Sequence, residues 1–448
     1  MVAANPILTD AWYPLRYHRK QARFIRCKRR FIGLDCGRSS GKTELCRRRM
    51  VETLAERVPG CRRPMYFYSA PTWAQAKRIA WQPFIDLIPK SWLLPGSDGI
   101  NRSDMVLRTK FGSELHIIGM DKPERIEGSQ YCGGITDESS DMKPGAFHKS
   151  ILPALSIHRG FCWRIGVPKR QGPSAGEFRE FCELNRSGDD EDSISFTWPS
   201  DQIVDAKTLA QAKRIMDIRD YNEQFRAQWQ KSGGGIFYAF DEEQNCKRCN
   251  YDPNRVIVVG MDFNVDPMAW VLGHLYRDKD GEERWEWFDE IFRKDTNTPE
   301  VLKILFNKYK NHKGGFMFCG DASAKARHTS ATDSDYMLIW DHPGFKKLGR
   351  KVEFPESAPA IEDRFAACNA MFENAAGQRR CFVDKVNCPN LFTDLRTRFF
   401  KPGTRVVGDS GEQGHMTDAF GYPVFQFTPV DARLSTEAGG QIYIGAAA

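Results

Sequence analysis

No apolar run in this sequence approaches the roughly 18 residues needed to cross a bilayer, and its mean hydropathy is -0.53. Nothing therefore points to a membrane protein. Met1 to Asp10 also lack the basic-then-apolar layout of a secretory leader, so the chain is expected to stay in the compartment where it is made. A disulfide framework is missing as well: the thirteen cysteines are odd in number and scattered over 448 residues, which fits reduced thiols in a cytoplasm. Cys246-Lys247-Arg248-Cys249 is the only C-x-x-C, and Cys381 and Cys388 are too widely spaced to complete a zinc site with it. An exposed linker turn is expected there. Strong net charge is absent too, at +7, yet residues 1–50 hold thirteen Lys and Arg against Asp10, Asp35 and Glu44. A basic end of this kind suits a polyanion partner, although clusters such as Arg47-Arg48-Arg49 also occur as solvated helix faces. The length predicts two or three domains, and 41% hydrophobic residues suffice for ordinary cores.

The most informative segment that is present runs Phe31-Ile32-Gly33-Leu34-Asp35-Cys36-Gly37-Arg38-Ser39-Ser40-Gly41-Lys42-Thr43. A short apolar run empties into a Gly/Ser turn ending in Gly-Lys-Thr, which builds a phosphate cradle. Gly37 and Gly41 let the backbone turn its N–H groups toward a triphosphate, with Arg38, Ser39 and Ser40 between them. Lys42 reaches the β- and γ-phosphates, and the Thr43 hydroxyl holds Mg²⁺ at the start of the next helix. Cys36 stands where the standard pattern has its first Gly. Downstream, Tyr131-Cys132-Gly133-Gly134-Ile135-Thr136-Asp137-Glu138 is a β-prone run ending in two acids. Asp137 suits Mg²⁺ binding and Glu138 suits orienting and deprotonating the attacking water. Upstream, Gln21 follows Pro14 and Tyr17; its amide can read an adenine edge, or the segment can simply open an amphipathic helix.

Strand-like and helix-like stretches alternate through Pro64–Thr72, Trp73–Leu87 and Phe161–Pro168, with a strand pair near Val106–Leu107 and Leu115–Ile118. Such alternation predicts an α/β fold whose parallel sheet is covered by helices on both faces. The strand ending at Pro168 is expected beside the acid-bearing strand. The acidic run 188–192 reads as an exposed loop, and the nucleotide-binding fold is expected to end near residue 200. Apolar residues from Leu209 to Trp229 recur at helical spacing, and Ser232-Gly233-Gly234-Gly235 follows as a joint, so residues 201–250 are read as a linker or lid subdomain.

The C-terminal half has two apolar strands that end in acids, Val256–Asp262 and Phe316–Asp321, and then Asp418 at a helix start in His415-Met416-Thr417-Asp418-Ala419. Converging, these three carboxylates would make a hard-oxygen site for two divalent cations, Mg²⁺ or Mn²⁺, of the kind that cleaves phosphodiesters. Separately, each has a plainer reading, since Asp commonly ends strands and caps helices. Asp289-Glu290 is a second-rank candidate for the metal site, and His415 either assists at the scissile phosphate or packs.

Together these residues resemble the large terminase subunit of tailed double-stranded DNA bacteriophages. The resemblance rests on Gly37–Thr43 with a non-Gly residue before it, Ser69-Ala70-Pro71-Thr72, Asp137-Glu138, Gly166-Val167-Pro168, Tyr221–Phe225 followed by Gly235-Ile236-Phe237, then Asp262, Asp321 and His415–Ala419. It implies an N-terminal P-loop ATPase motor (1–200), the helical linker (201–250), a nuclease of the ribonuclease-H-like α/β fold (251–435) and a C-terminal tail (436–448). It further implies ATP with Mg²⁺ at one site and two divalent cations at the other. Glu138, Arg38, Asp262, Asp321 and Asp418 would be the catalytic groups, with Gln21 in the adenine-reading motif and Gly166-Val167-Pro168 as the motif coupling hydrolysis to movement. Val167 departs from the hydroxyl residue common there, and Glu127-Gly128 replaces the family's Arg-Gly pair, with Arg125 nearby. Implied partners are double-stranded DNA, a small terminase subunit, the portal protein of the procapsid and further copies in a ring, in the host cytoplasm and without a membrane. A repair-type helicase–nuclease, a non-enzymatic capsid-docking protein with relic sites, and a transposase fused to an ATPase are the competing classes; the last lacks a recognisable DNA-binding module.

Overall fold

A computed structural model describes residues 18–170, 172–230, 234–264, 266–322, 334–353, 359–401, 407–408 and 414–428. Pro14, Tyr17, part of the glycine joint and the 436–448 tail lie outside the described residues. The chain divides into two compact units, Met1–Leu209 with Asn222–Lys231, and Ala210–Tyr221 with Ser232–Ala448. Residues 201–250 are thus shared between the two.

The first unit is built on eight strands: β1 (Phe31–Asp35), β2 (Met65–Ala70), β3 (Ile100–Asn101), β4 (Val106–Arg108), β5 (Glu114–Gly119), β6 (Gly133–Thr136), β7 (Phe161–Gly166) and β8 (Ser193–Phe196). Their order is β3-β4-β5-β2-β6-β7-β1-β8. The six from β5 to β8 run parallel, and β3 and β4 add an antiparallel edge. Residues buried along nearly the whole of β1, β2, β6 and β7 are what a sheet covered on both faces requires. Gly133 and Gly134 in β6 make room for neighbouring rings, because a Cβ there would lie 2.2 Å from Phe161 and 2.3 Å from Phe67. Parallel strands end on one edge, so the loop after β1, the acids after β6 and the residues after β7 share that edge, where α/β sheets bind ligands. As expected from the sequence, β7 pairs with the acid-bearing β6, and it pairs with β1 on its other side. The end of β1 is fixed by Asp35, fully buried, whose carboxylate accepts two hydrogen bonds from Arg186 (2.9 and 2.5 Å) and one from the Trp229 indole (2.8 Å).

The second unit has β9 (Ile257–Asp262), β10 (Met268–Arg277), β11 (Glu283–Arg293), β12 (Phe316–Gly320), β13 (Arg350–Glu353) and β14 (Cys381–Val383), in the order β13-β12-β9-β10-β11-β14. The meander β9-β10-β11 is antiparallel, while β12 and β13 run parallel to β9. This is the ribonuclease-H-like arrangement. The helix His415–Phe427 packs on β9 at Gly260, where an added Cβ would come within 2.2 Å of the Ala419 carbonyl oxygen. Trp285 and Trp287 stack in the core, their rings 4.9 Å apart.

Two details differ from the sequence pattern. The helical spacing that runs from Leu209 to Trp229 breaks after Ile215, restarts at Ile218 and ends at Gln224, and at the break Asp217 turns its carboxylate to the Arg219 and Asp220 amides as a helix cap. Cys249 is buried at 4% exposure, and Cys246 pairs with Val383 beside β14, so this C-x-x-C is not an exposed turn. Replacing Gly260 by Ala should lower the stability of the second unit by about 1–3 kcal/mol through overpacking, read from chemical denaturation of the full chain; an unchanged midpoint would contradict the close seating of the helix on β9.

Candidate active sites

The loop after β1 owes its shape to two left-handed residues, Ser39 (φ 55°) and Gly41 (φ 80°), before the helix Lys42–Leu54. Gly41 is where glycine is needed. Cys36 lies outside that region of backbone space: it is wholly buried, and its thiol donates to the Phe196 carbonyl (3.7 Å), so a side chain is accommodated where the standard motif has Gly. The first amides of a helix have no intrahelical acceptor, and here they follow the left-handed turn, so Lys42, Thr43 and the turn offer an anion their N–H groups together with the positive end of the helix dipole. Lys42 is buried, and its ammonium donates to the Gly37 carbonyl (3.4 Å).

Facing that turn is Asp137, only 2% exposed. Its Oδ2 accepts from the Thr43 hydroxyl (3.0 Å) and the Tyr68 hydroxyl (2.6 Å), and its Oδ1 from the Glu138 amide (2.8 Å). Burial and the adjoining Glu138 carboxylate push the Asp137 carboxyl up, while Lys42 and Tyr68 oppose the shift. The Thr43 and Asp137 oxygens therefore stand side by side as a hard-oxygen pair at a phosphate-binding turn, a donor set that fits Mg²⁺. Glu138 has a left-handed backbone (φ 51°) and faces Lys169, whose ammonium is 3.6 Å from its carboxylate and also pairs with Asp141.

Gln21 and Arg38 make contacts within the protein at the cradle. The Gln21 side chain donates to the Ser40 carbonyl (3.1 Å), alongside the Trp198 indole (3.0 Å), and accepts from the His18 amide (3.3 Å). It anchors the cradle. Arg38 is exposed, and its guanidinium donates to the Gln224 side chain (2.6 Å). Gly37 lies against Ser200 and the Phe225 carbonyl, leaving no space for a Cβ, and Ser200 donates to the Arg38 carbonyl (2.6 Å). Beyond β7, Arg170 makes a two-point contact with Glu223 through its backbone N–H (2.7 Å) and guanidinium (2.9 Å).

In the second unit, the pairing of Gly320 with Met261 puts Asp321 and Asp262 next to each other at the ends of parallel strands. Asp418 lies in the first turn of the helix that crosses β9. It does not cap that helix; Asp394 does, accepting from the Gly414 (2.8 Å) and Met416 (3.2 Å) amides. Asp418 is instead gripped by the nearly buried Arg398 (2.9 Å) and Arg364 (3.2 Å). Burial raises the Tyr422 hydroxyl; Arg364 opposes this, and Asp321, Asp418 and Asp262 each add to the rise. Asp262 accepts from His415 (2.8 Å) and Asn264 (3.1 Å), and the Asp262 bond raises the His415 imidazole, with burial working against it. The three acids do not form a tight cluster: among the described residues, the group of three metal-ligating side chains whose ligand atoms lie within 4.8 Å of one another is found elsewhere. Asp262 and Asp321 remain a pair of hard-oxygen donors suited to a divalent cation, with Asp418 held back by its arginines.

The second-rank acids have structural work. Asp289 accepts from Lys308 (2.7 Å) and Tyr309 (2.6 Å), and Glu290 caps the helix Pro389–Thr397 through the Asn390 (2.9 Å) and Leu391 (3.0 Å) amides. Tyr68, Lys169, Arg364 and Arg398 have no role in the sequence reading, and Gln224 enters it only within the Tyr221–Phe225 stretch. For Tyr68 a signal was available, an aromatic hydroxyl near the end of the strand beside the acid-bearing one; for the others, no spacing marks them.

No protein-family model and no curated protein sequence matches the chain. Among solved structures it is similar to the large terminase of a thermophilic bacteriophage, at 14% identity and a TM-score of 0.56, over 92% of this chain and 99% of that one. The same terminase in complex with ADP gives 15% identity and a TM-score of 0.54, and in complex with ATP-γ-S 16% and 0.53, each with 92% and 99% of the two chains covered. At such identity the likeness shows the fold, which is that of a large terminase. Glu290→Ala, by removing a carboxylate that satisfies buried helix-end amides, should lower stability by about 1–3 kcal/mol in urea denaturation, and a neutral change would contradict the capping role.

Proposed function

We propose that this chain is the large subunit of a phage DNA-packaging motor, hydrolysing ATP to drive double-stranded DNA into a procapsid and cutting concatemeric DNA with a metal-dependent endonuclease. The observation that carries the reading is the 3.0 Å contact between the Thr43 hydroxyl and Asp137 at a phosphate-binding turn, with Glu138 next in sequence. The large-terminase fold, and the fact that its structural neighbour was solved with ADP and ATP-γ-S, support it.

On this reading residues 1–200 form the ATPase, 201–250 the connection and 251–435 the nuclease. Gly37 to Gly41 cradle the triphosphate, Lys42 contacts its outer phosphates, and Thr43 and Asp137 hold Mg²⁺, which when bound neutralises charge on the phosphates. Glu138 takes the proton of the attacking water. For that, it must leave Lys169 or share its charge. Arg38 turns from Gln224 to the transferring phosphoryl group, and Gln21 supports the adenine end through the loop it anchors. In the second unit Asp262, Asp321 and Asp418 hold two divalent cations, which when bound stabilise the attacking and leaving oxygens of phosphodiester cleavage; Arg364 and Arg398 set how readily Asp418 joins them. Contacts to DNA run through its phosphates, so binding has little sequence preference and falls steeply with salt. A small terminase subunit, the portal protein and further copies in a ring are the partners, in the host cytoplasm.

Two variants test the separation of the activities. Glu138→Gln should lower ATP turnover by about 10²- to 10⁴-fold, the usual contribution of a general base, and keep metal-dependent plasmid cutting. Asp262→Asn should do the reverse. Loss of both activities in both variants would contradict two independent sites. In Lys42→Ala, turnover should vanish into background, and hydrolysis at the wild-type rate would overturn the assignment of the cradle.

A further inference from the structure

Three residues unused by either site meet in the first unit. Cys61 follows the helix Lys42–Leu54, Cys132 immediately precedes β6, and His158 lies in the turn before β7. One ligand atom of each lies within 4.8 Å of the other two. The two sulfurs are 3.7 Å apart. In a tetrahedral zinc site with Zn–S bonds of about 2.3 Å, the sulfur–sulfur edge is about 3.8 Å, whereas a disulfide needs about 2.05 Å. The spacing therefore matches two thiolates on one cation. Cys132 and Glu56 both line a cavity of about 340 Å³. That cavity opens a route for a water as the fourth ligand.

We propose that Cys61, Cys132 and His158 form a zinc site on the sheet edge opposite the nucleotide turn. Thiolates with an imidazole select zinc over the hard cations suited to carboxylates. Binding replaces two thiol protons, which pass to solvent, and forms two Zn–S bonds and one Zn–N bond. The cation ties the segment after the Lys42–Leu54 helix to the starts of β6 and β7, the two strands whose far ends bear Asp137-Glu138 and Lys169. The site stands independently of the packaging reading, because its test reads metal content.

The full chain, purified and dialysed in zinc-containing buffer and then in metal-free buffer, should retain one zinc per molecule by elemental mass spectrometry. Replacement by Co²⁺ should give a thiolate-to-metal charge-transfer band and tetrahedral ligand-field bands. Cys61→Ser with Cys132→Ser should lose both signals, while Cys246→Ser with Cys249→Ser should keep them. If the first double variant fails to fold, the wild-type Co²⁺ spectrum, and a shift of its ligand-field bands in His158→Ala, decide the matter. A wild-type protein without zinc and without a charge-transfer band overturns the proposal, as does a Cys61–Cys132 disulfide or zinc retained in full by the folded Cys61/Cys132 variant.

Discussion

A buried carboxylate holds the nucleotide edge of the first unit together. Asp137 is removed from water, so its oxygens must be satisfied by partners brought from elsewhere in the fold. They come from the helix after the cradle, through Thr43, from β2, through Tyr68, and from the Glu138 amide. A charge placed there is costly unless those donors, Lys42 or a cation offset it, which is why burial pushes the carboxyl up. Remove the Asp137 acceptor and three elements lose their common point. The clasp of Asp35 by Arg186 and Trp229 does the same for the strand leading into the cradle.

Strand register performs the corresponding task in the second unit. Parallel pairing of β12 with β9 aligns two strand ends, so that Asp321 and Asp262 become neighbours although 59 positions separate them in the sequence numbering. Gly260 then admits the helix bearing Asp418 to van der Waals range of β9. Charge is balanced there by Arg364 and Arg398, which compensate Asp418 from buried positions. The site is therefore assembled from two backbone constraints and one electrostatic one.

What the sequence reveals follows the same division. Gly37–Thr43 is legible because a left-handed turn and a phosphate cradle restrict residue type, and the strand-ending acids are legible because apolar runs stop abruptly at them. In the first unit the alternation of strands and helices reveals a parallel sheet and the neighbourhood of β6 and β7, while the full order of either sheet is not legible in it; nor is the break at Asp217, since its carboxylate competes with a helical pattern that continues on either side. Partners drawn from distant segments, such as Lys169 beside Glu138 or Arg398 beside Asp418, obey no spacing rule. Cysteine shows the limit most plainly. The one C-x-x-C is divided between the second unit's core and a strand bridge, while Cys61 and Cys132, alone in the sequence, come together because β6 starts where the loop after the first long helix ends.

The central proposal is that, apart from the zinc site, divalent cations bind at a nucleotide turn in the first unit and at paired strand ends in the second. Anomalous diffraction from crystals of the full chain grown with Mn²⁺ and a non-hydrolysable ATP analogue tests it directly. The account predicts manganese peaks beside Thr43 and Asp137 and between Asp262 and Asp321. Manganese bound at neither pair, or a nucleotide seated away from Lys42, would contradict it.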